Sequence, residues 1–493
     1  MNRRNFLRSL SAIALLTTAE NIIARPYRDL LKTRISQDCV RISGVVKAGN
    51  SPLRGVVVSD GISCTATKAD GSYSLITQPG TRFVFISVPT GYSVPLSGKG
   101  IAFFYKDLLN ISPADDIRAD FSLSKSGSDG VKHVFYNFAD PQMIDDADMD
   151  RFANETIPDL KQEISHNGEV QFGVGCGDIV FNRHRLFPGY VQNVGSSGIP
   201  FFQVVGNHDV IDHAKVNEEA WGVFCDYFGP EYYSFNVGDV HYIVLNDVFW
   251  FGDYMGYIDY RQLTWLKNDL SFIEKGRRLV IFSHIPFYTR QHLNEGRNSP
   301  SRNVIVTNRE LIYDLVRDYE VTFISGHMHE SDYFTEGRNE IHVTGAVCGA
   351  WWTADVCSDG TPNGYGVYEV NGSEIKRRYK ATGRDASYQM RVYKDTDDSG
   401  AQYATANIWA VSDKWDISAF VNGSDKMKME KFTGVDPQTT GLFLGDKIPE
   451  KHSWVEPGRN SHLFRIPLNK EMRFVTVEAT DEYGRIYTGR LDL

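Results

Sequence analysis

Six cysteines are spread over 493 residues, at positions 39, 64, 176, 225, 348 and 357, and no two of them form a C-x-x-C pair. That excludes a zinc ribbon. Cys176 reads as a small core hydrophobe. Cys348 and Cys357 flank a Trp-rich loop, and the sequence leaves open whether they pair. An excess of positive charge is also missing. Lys and Arg number 52 against 62 Asp and Glu, for a net charge of −10. A general nucleic-acid binder needs a basic face, so no nucleic-acid polymer is expected as a partner. The basic runs 275–278 and 376–380 are short and read as a solvated turn or edge strand. Beyond the N-terminus no apolar run approaches the length of a bilayer span, so no transmembrane anchor is expected. There is no repeat of fixed period and no low-complexity tract. What remains is the composition of a globular protein, 42% hydrophobic and 23% charged, in a chain too long for one core.

Within this ordinary composition, chemistry-bearing residues are concentrated. Eleven of the 13 histidines lie between positions 133 and 342. Along that stretch come Asp140-Pro141-Gln142, Gly177-Asp178, Gly206-Asn207-His208-Asp209, His284 and Gly326-His327-Met328-His329, in that order. Each follows a short apolar run that reads as a buried strand: VFYNFA, VQFGVGC, IPFFQVV, RLVIFS and EVTFIS. Ligands of open α/β sheets bind beyond the carboxyl ends of the strands, so these side chains are expected to converge. Carboxylates, amides and imidazoles aimed at one point suit a pair of metal ions better than a core.

The order and spacing resemble the calcineurin-like metallophosphoesterase family, whose pattern is D-x-H, G-D, G-N-H-[D/E], a lone His and G-H-x-H. One position departs: Gln142 stands where many members have His. The resemblance, over about residues 131–370, implies two divalent or trivalent metal ions, of manganese, zinc or iron type. The first would be held by Asp140, Asp178, His329 and Gln142, and the second by Asp178, Asn207, His284 and His327. Asp178 would bridge them. It further implies hydrolysis of phosphate esters by hydroxide generated at the metals. His208 would hydrogen-bond the substrate oxygen and protonate the leaving group, with Asp209 orienting its ring and raising its pKa. Substrate-contact candidates are Trp351 and Trp352, as a flat platform or as a plug between domains, then Asn363 and Tyr365, and Arg183 and His184. His213, His241, His292 and His342 have no motif support and read as core or surface residues.

The expected fold class is α/β: a central metallophosphoesterase sandwich over 131–380, flanked by two β-sandwich domains. One, over 38–125, resembles prealbumin-like domains in its Lys68-Ala-Asp70-Gly71 turn. The other covers 386–493. Helices are expected over 150–164, 260–272 and 308–319. Residues 1–24 look like a twin-arginine export signal, with Arg3-Arg4 followed by Phe6-Leu7-Arg8 and a short apolar run. The alternative is a basic N-terminus of a cytosolic protein. The sequence thus points to an exported phosphoesterase acting on a small-molecule or glycan phosphate ester. The alternatives are a phosphodiesterase or nucleotide pyrophosphatase, and a surface carbohydrate-binding protein with a decayed phosphatase core.

Overall fold

The computed structural model describes residues 39–493 except 110–115, 167–168, 212 and 424. The expected export signal lies outside the described residues. Between 132 and 381, two sheets face each other. One is five-stranded, in the order Phe201–Val204, Val170–Cys176, Lys132–Phe138, Gly364–Asn371, Glu374–Ala381. The other is six-stranded, in the order Tyr233–Val237, Val240–Val244, Arg278–Phe282, Glu320–Ser325, Asn339–Val343, Asp332–Glu336. Rings fill the layer between them. Phe135 of the first sheet meets Tyr242 and Phe282 of the second edge-on, at centroid distances of 5.6 and 5.7 Å. Aromatic pairs in this geometry contribute beyond their buried area.

The register of the parallel strands sets up the site. Phe138 lies opposite Gly175, Cys176 opposite Val204, and Phe282 opposite Ile324. The strands of each sheet therefore end nearly level. Asp140, Asp178, Asn207, His284 and His327 all fall two or three residues past those ends.

Helices cover the sandwich, with one local departure from expectation. The stretch expected as one helix over 150–164 is an α-helix at Asp146–Arg151, a π-turn at Phe152–Thr156 and an α-helix at Ile157–Ser165. Pro158 has no N–H to give to the Asn154 carbonyl, so the ladder widens there. The second and third expected helices span Tyr260–Leu270 and Arg309–Val316.

Residues 40–125 form two further sheets that lie against the edge strands of the sandwich. There the Ala102 N–H donates to the Phe201 carbonyl at 3.1 Å, and Asn236 N–H donates to the Val88 carbonyl at 2.9 Å. Residues 391–492 form a pair of four-stranded sheets. They include strands Asp425–Lys428 and Glu430–Val435 and a helix Pro437–Phe443 that sequence patterning does not show. This region is held by a buried polar network. The Asp359 carboxylate accepts from the Ser331 N–H (2.7 Å) and the Thr361 hydroxyl (2.8 Å) and lies 3.0 Å from His462 Nε2. Asn407 and Asn460 both donate to the Asp359 carbonyl at 2.9 Å. All six cysteines are free thiols, Cys348 and Cys357 among them.

Candidate metal centre

Beyond the strand ends the backbone turns sharply. Among the described residues, ten non-glycines have positive φ, and all except Asn422 belong to this region: Asp140, Gln142, Asp178, Asn182, His327, His329, Trp351, Trp352 and His452. Left-handed conformations disfavour side chains with a Cβ, and they gather where surrounding structure holds functional groups in place. Two motif glycines have steric reasons. A Cβ on Gly206 would lie 1.9 Å from the Asp178 backbone nitrogen, and one on Gly326 would lie 2.4 Å from Asp140 Oδ2.

The structure brings the seven expected metal ligands together. Nε2 of His284 lies 3.0 Å from Asn207 Oδ1, 3.3 Å from Asp178 Oδ1 and 3.1 Å from His327 Nδ1. Nε2 of His329 lies 3.6 Å from Asp140 Oδ1. Donor atoms bonded to a common metal at about 2.1 Å stand roughly 3.0–3.4 Å apart, so these separations are close to the edges of a coordination shell. Each imidazole is fixed by a backbone carbonyl through its other nitrogen. His284 Nδ1 faces the Cys176 carbonyl (2.9 Å), His327 Nε2 that of Asn303 (2.9 Å) and His329 Nδ1 that of Gly349 (3.0 Å). Donation to a carbonyl sets the tautomer and turns the opposite lone pair inward, as metal-ligating histidines require.

Asp178 lies between two groups of donors. Its Oδ1 faces His284, and its Oδ2 accepts from Gln142 Nε2 at 2.9 Å. Asp140 Oδ1 and Gln142 Oε1 are buried without a hydrogen-bond partner. Buried oxygens of this kind are ordinarily satisfied, and an ion is one way to satisfy them. Electrostatics agree. Burial and the Asp178 charge push the Asp140 carboxyl well above its usual range. Burial lowers the pKa of His327 and His329, to about 3 and about 4, so both are neutral at pH 7 and have a lone pair to give. Burial also works against the charged form of His284, but the Asp178 and Asp140 carboxylates reverse this and raise its pKa to about 10. A cluster that holds a proton so firmly is one where a cation can replace it.

Gln142 supports Asp178 in this arrangement, and turning its amide over would present Oε1 to the same place. Gln142→Ala is expected to weaken metal binding at that half of the site about 10- to 100-fold, the loss of one bond to a charged group. Asp140→Ala, which removes a charged ligand, costs more. Gln142→His tightens binding and shifts preference toward zinc or iron, because imidazole is the better donor to those ions. Stepwise metal titration of the three variants decides the order. Equal damage from Gln142→Ala and Asp140→Ala would overturn it.

Several sequence expectations need correcting. The Asp209 carboxylate is engaged by the backbone rather than placed as the partner of His208 Nδ1. It accepts from the backbone N–H groups of Ile179 (3.0 Å) and Gly206 (3.0 Å), bracing the two ligand loops. Asn182 takes the orienting position, with its Oδ1 2.9 Å from His208 Nδ1. Phe181 stacks on the His208 ring at 4.3 Å. His184 is tied to the backbone, its Nε2 3.0 Å from the Asp209 carbonyl. Trp352 is buried, donates from Nε1 to the Pro141 carbonyl at 2.8 Å and is capped by the Arg151 guanidinium. These contacts, both within the central domain, pack it against the Asp140 loop. Trp351 does reach the centre and stacks on His329 at 4.0 Å. Tyr365 is a core residue bonded to Asp159, and Asn363 lines a separate cleft with Asp159, Arg384 and Tyr388. Arg183 is exposed beside Asn182.

Residues that the motifs do not show complete the surroundings. Asp247 Oδ1 accepts the backbone N–H groups of His284 (3.1 Å) and Ile285 (3.2 Å), fixing that loop. His452 and Trp454 enter from the C-terminal region. Asn182 has one sequence trace, its place four residues after Asp178; His452 and Trp454 have none.

Comparison with known proteins identifies the family. Residues 135–331 match the family model of calcineurin-like phosphoesterase. Residues 40–126 match the N terminal of calcineurin-like phosphoesterase, and 341–487 match its C terminal. The chain is 28% identical over 198 residues to the serine/threonine-protein phosphatase CPPED1 of Mus musculus, covering 37% of this chain and 60% of that protein. It is 35% identical over 185 residues to the Danio rerio CPPED1, covering 32% and 57%. It thus spans less than two thirds of the length of these relatives. Among solved structures, purple acid phosphatase PPD1 from yellow lupin (Lupinus luteus) seeds aligns at a TM-score of 0.32 and 12% identity, over 79% of this chain and 68% of that one. With matches to its N-terminal, catalytic and C-terminal models in order, and the ligand motifs gathered at the strand ends, the chain belongs to the calcineurin-like phosphoesterase family.

Proposed function

We propose that this protein hydrolyses phosphate esters of small molecules or glycans at a centre of two metal ions. Asp140, Gln142, Asp178 and His329 would hold one, and Asp178, Asn207, His284 and His327 the other. The observation that carries this reading is Asp178, whose Oδ1 faces His284 while its Oδ2 is held by Gln142. Such ions supply charge neutralisation at the phosphoryl group and lower the pKa of water.

The remaining work falls to side chains. His208 is the proton donor to the leaving oxygen, through Nε2, with its ring set by Asn182 on one edge and Phe181 on one face. Its backbone N–H donates to Asp178 Oδ1 at 2.8 Å, so the acid and the shared carboxylate move as one unit. Asp209 and Asp247 keep the ligand loops in register. The test is elemental analysis of the purified protein, with turnover of a panel of mono- and diesters after addition of manganese, zinc or iron. Close to two metals per chain and hydrolysis of a phosphate ester are expected. No bound metal and no turnover under any loading would sink the reading.

We also propose export by the twin-arginine route, on the strength of Arg3-Arg4-Asn5-Phe6-Leu7. Replacing both arginines by lysine should retain the protein in the cytoplasm, read by cell fractionation. Unchanged export would point to another route.

A further inference from the structure

Aromatic rings form an arc between His329 and His208. Trp351 stacks on His329 at 4.0 Å and 14°. Trp454 meets Trp351 edge-on at 4.5 Å, and His452 meets Trp454 at 5.6 Å and 81°. His452 in turn lies 5.5 Å from Phe181, which stacks on His208. One end of the arc is a metal-ligand candidate and the other is the candidate proton donor. Its middle members stand outside the catalytic match of 135–331 and come from the segment between the helix Pro437–Phe443 and the strand Arg459–Pro467.

This segment is fastened in place. Lys451 pairs with Asp145 at 3.2 Å and also with Asp148. Val455 is buried with Ala350 and Phe443, and the Gly458 N–H donates to the Ser358 carbonyl at 2.8 Å. His452 is held at φ 54°, in the left-handed region shared by Asp140, Gln142, Asp178, His327 and His329. Yet Trp454 remains 56% exposed. A large ring fixed at the rim of a polar centre, with half its surface in water, has apolar area left to cover.

We propose that the arc is the leaving-group wall of the site, and that it selects phosphate esters whose alcohol carries a flat aromatic face, such as an aryl or nucleobase ring. This rests on the phosphoesterase reading. With the phosphoryl group at the metals and the leaving oxygen at His208, the rest of the leaving group must lie alongside the arc. Rings presented edge-on and face-on there favour another ring over an alkyl chain, by about tenfold per good aromatic contact.

Calorimetric titration of the full-length, manganese-loaded protein with phenylphosphonate and methylphosphonate tests this without turnover. Both ligands offer the same anionic head, and only one has a ring. Wild type should bind phenylphosphonate about tenfold more tightly than methylphosphonate. Trp454→Ala should bring the ratio close to one, and Trp454→Phe should keep most of it. Trp454 is half-exposed, so both variants should fold, as circular dichroism would show. Equal binding of the two phosphonates to wild type, binding of neither, or a preference that survives Trp454→Ala would overturn the proposal. A phenyl preference lost in Trp454→Ala, in a protein that turns over no phosphate ester, would keep the arc as an aromatic-binding wall but reject both the phosphoesterase reading and the leaving-group role.

Discussion

Asp178→Ala should reduce turnover by about 10³-fold or more and remove metal from both halves of the site. The size follows from what the charge does. Neutralising a phosphoryl group at metal ions is worth several kcal/mol in the transition state, and about 4 kcal/mol is a factor of 10³. Asp178 reaches to both sides, with His284 on Oδ1 and Gln142 on Oδ2. Its carboxyl stays below the usual range despite burial, because the His284 and His208 imidazoles face it. Its loss also strips the His208 backbone N–H of its acceptor. Asp140→Ala should empty one half of the site and leave partial occupancy of the other. Elemental analysis of both variants beside turnover is the check. Two metals retained in Asp178→Ala would mean that this carboxylate does not bridge.

What the sequence made legible, and what it did not, divides along a physical line. The ligand motifs could be read because each is local: an apolar run makes the strand, and the next two or three residues fall at its carboxyl end. Parallel pairing then does the rest, as in the match of Phe138 to Gly175 and of Phe282 to Ile324. The orientation of a side chain in the loop beyond a strand is not local in that sense. His208 and Asp209 are adjacent in sequence, yet the chain sends one ring to Asn182 and the other carboxylate into the backbone of its neighbours. Trp351 and Trp352 separate in the same way, one onto His329 and the other against Pro141. Tyr365 looks like a contact because its stretch 359–365 resembles ones near the metal cleft of related proteins, but its strand runs antiparallel beside Lys132–Phe138 and carries it into the core. His452 and Trp454 could not be found at all. Nothing in the local pattern of residues 444–458 says that they reach back more than a hundred residues to Trp351 or far further to Phe181. That contact is set by pairings distant in sequence, such as Lys451 with Asp145 and the Gly458 N–H with the Ser358 carbonyl.

His208→Ala should keep metal and fold but slow turnover of esters with poor leaving groups by about 10²-fold or more, the usual worth of a positioned general acid. Esters with good leaving groups, such as nitrophenyl phosphates, should suffer much less, since their oxygen departs without a proton. Two further variants assign the surrounding residues. Asn182→Ala removes the Nδ1 partner and frees the ring to turn, so it should show the same dependence on leaving group in weaker form. Asp209→Asn should not. Its carboxylate is spent on the N–H groups of Ile179 and Gly206, and replacing one oxygen by an amide sets a donor against donors in a buried place. The expected result is a lower melting temperature and an activity loss that is alike for good and poor leaving groups. A plot of rate against leaving-group pKa for the three variants separates the roles. If Asp209→Asn steepens that plot as much as His208→Ala does, the carboxylate acts through the imidazole after all, and the orienting role returns to it from Asn182.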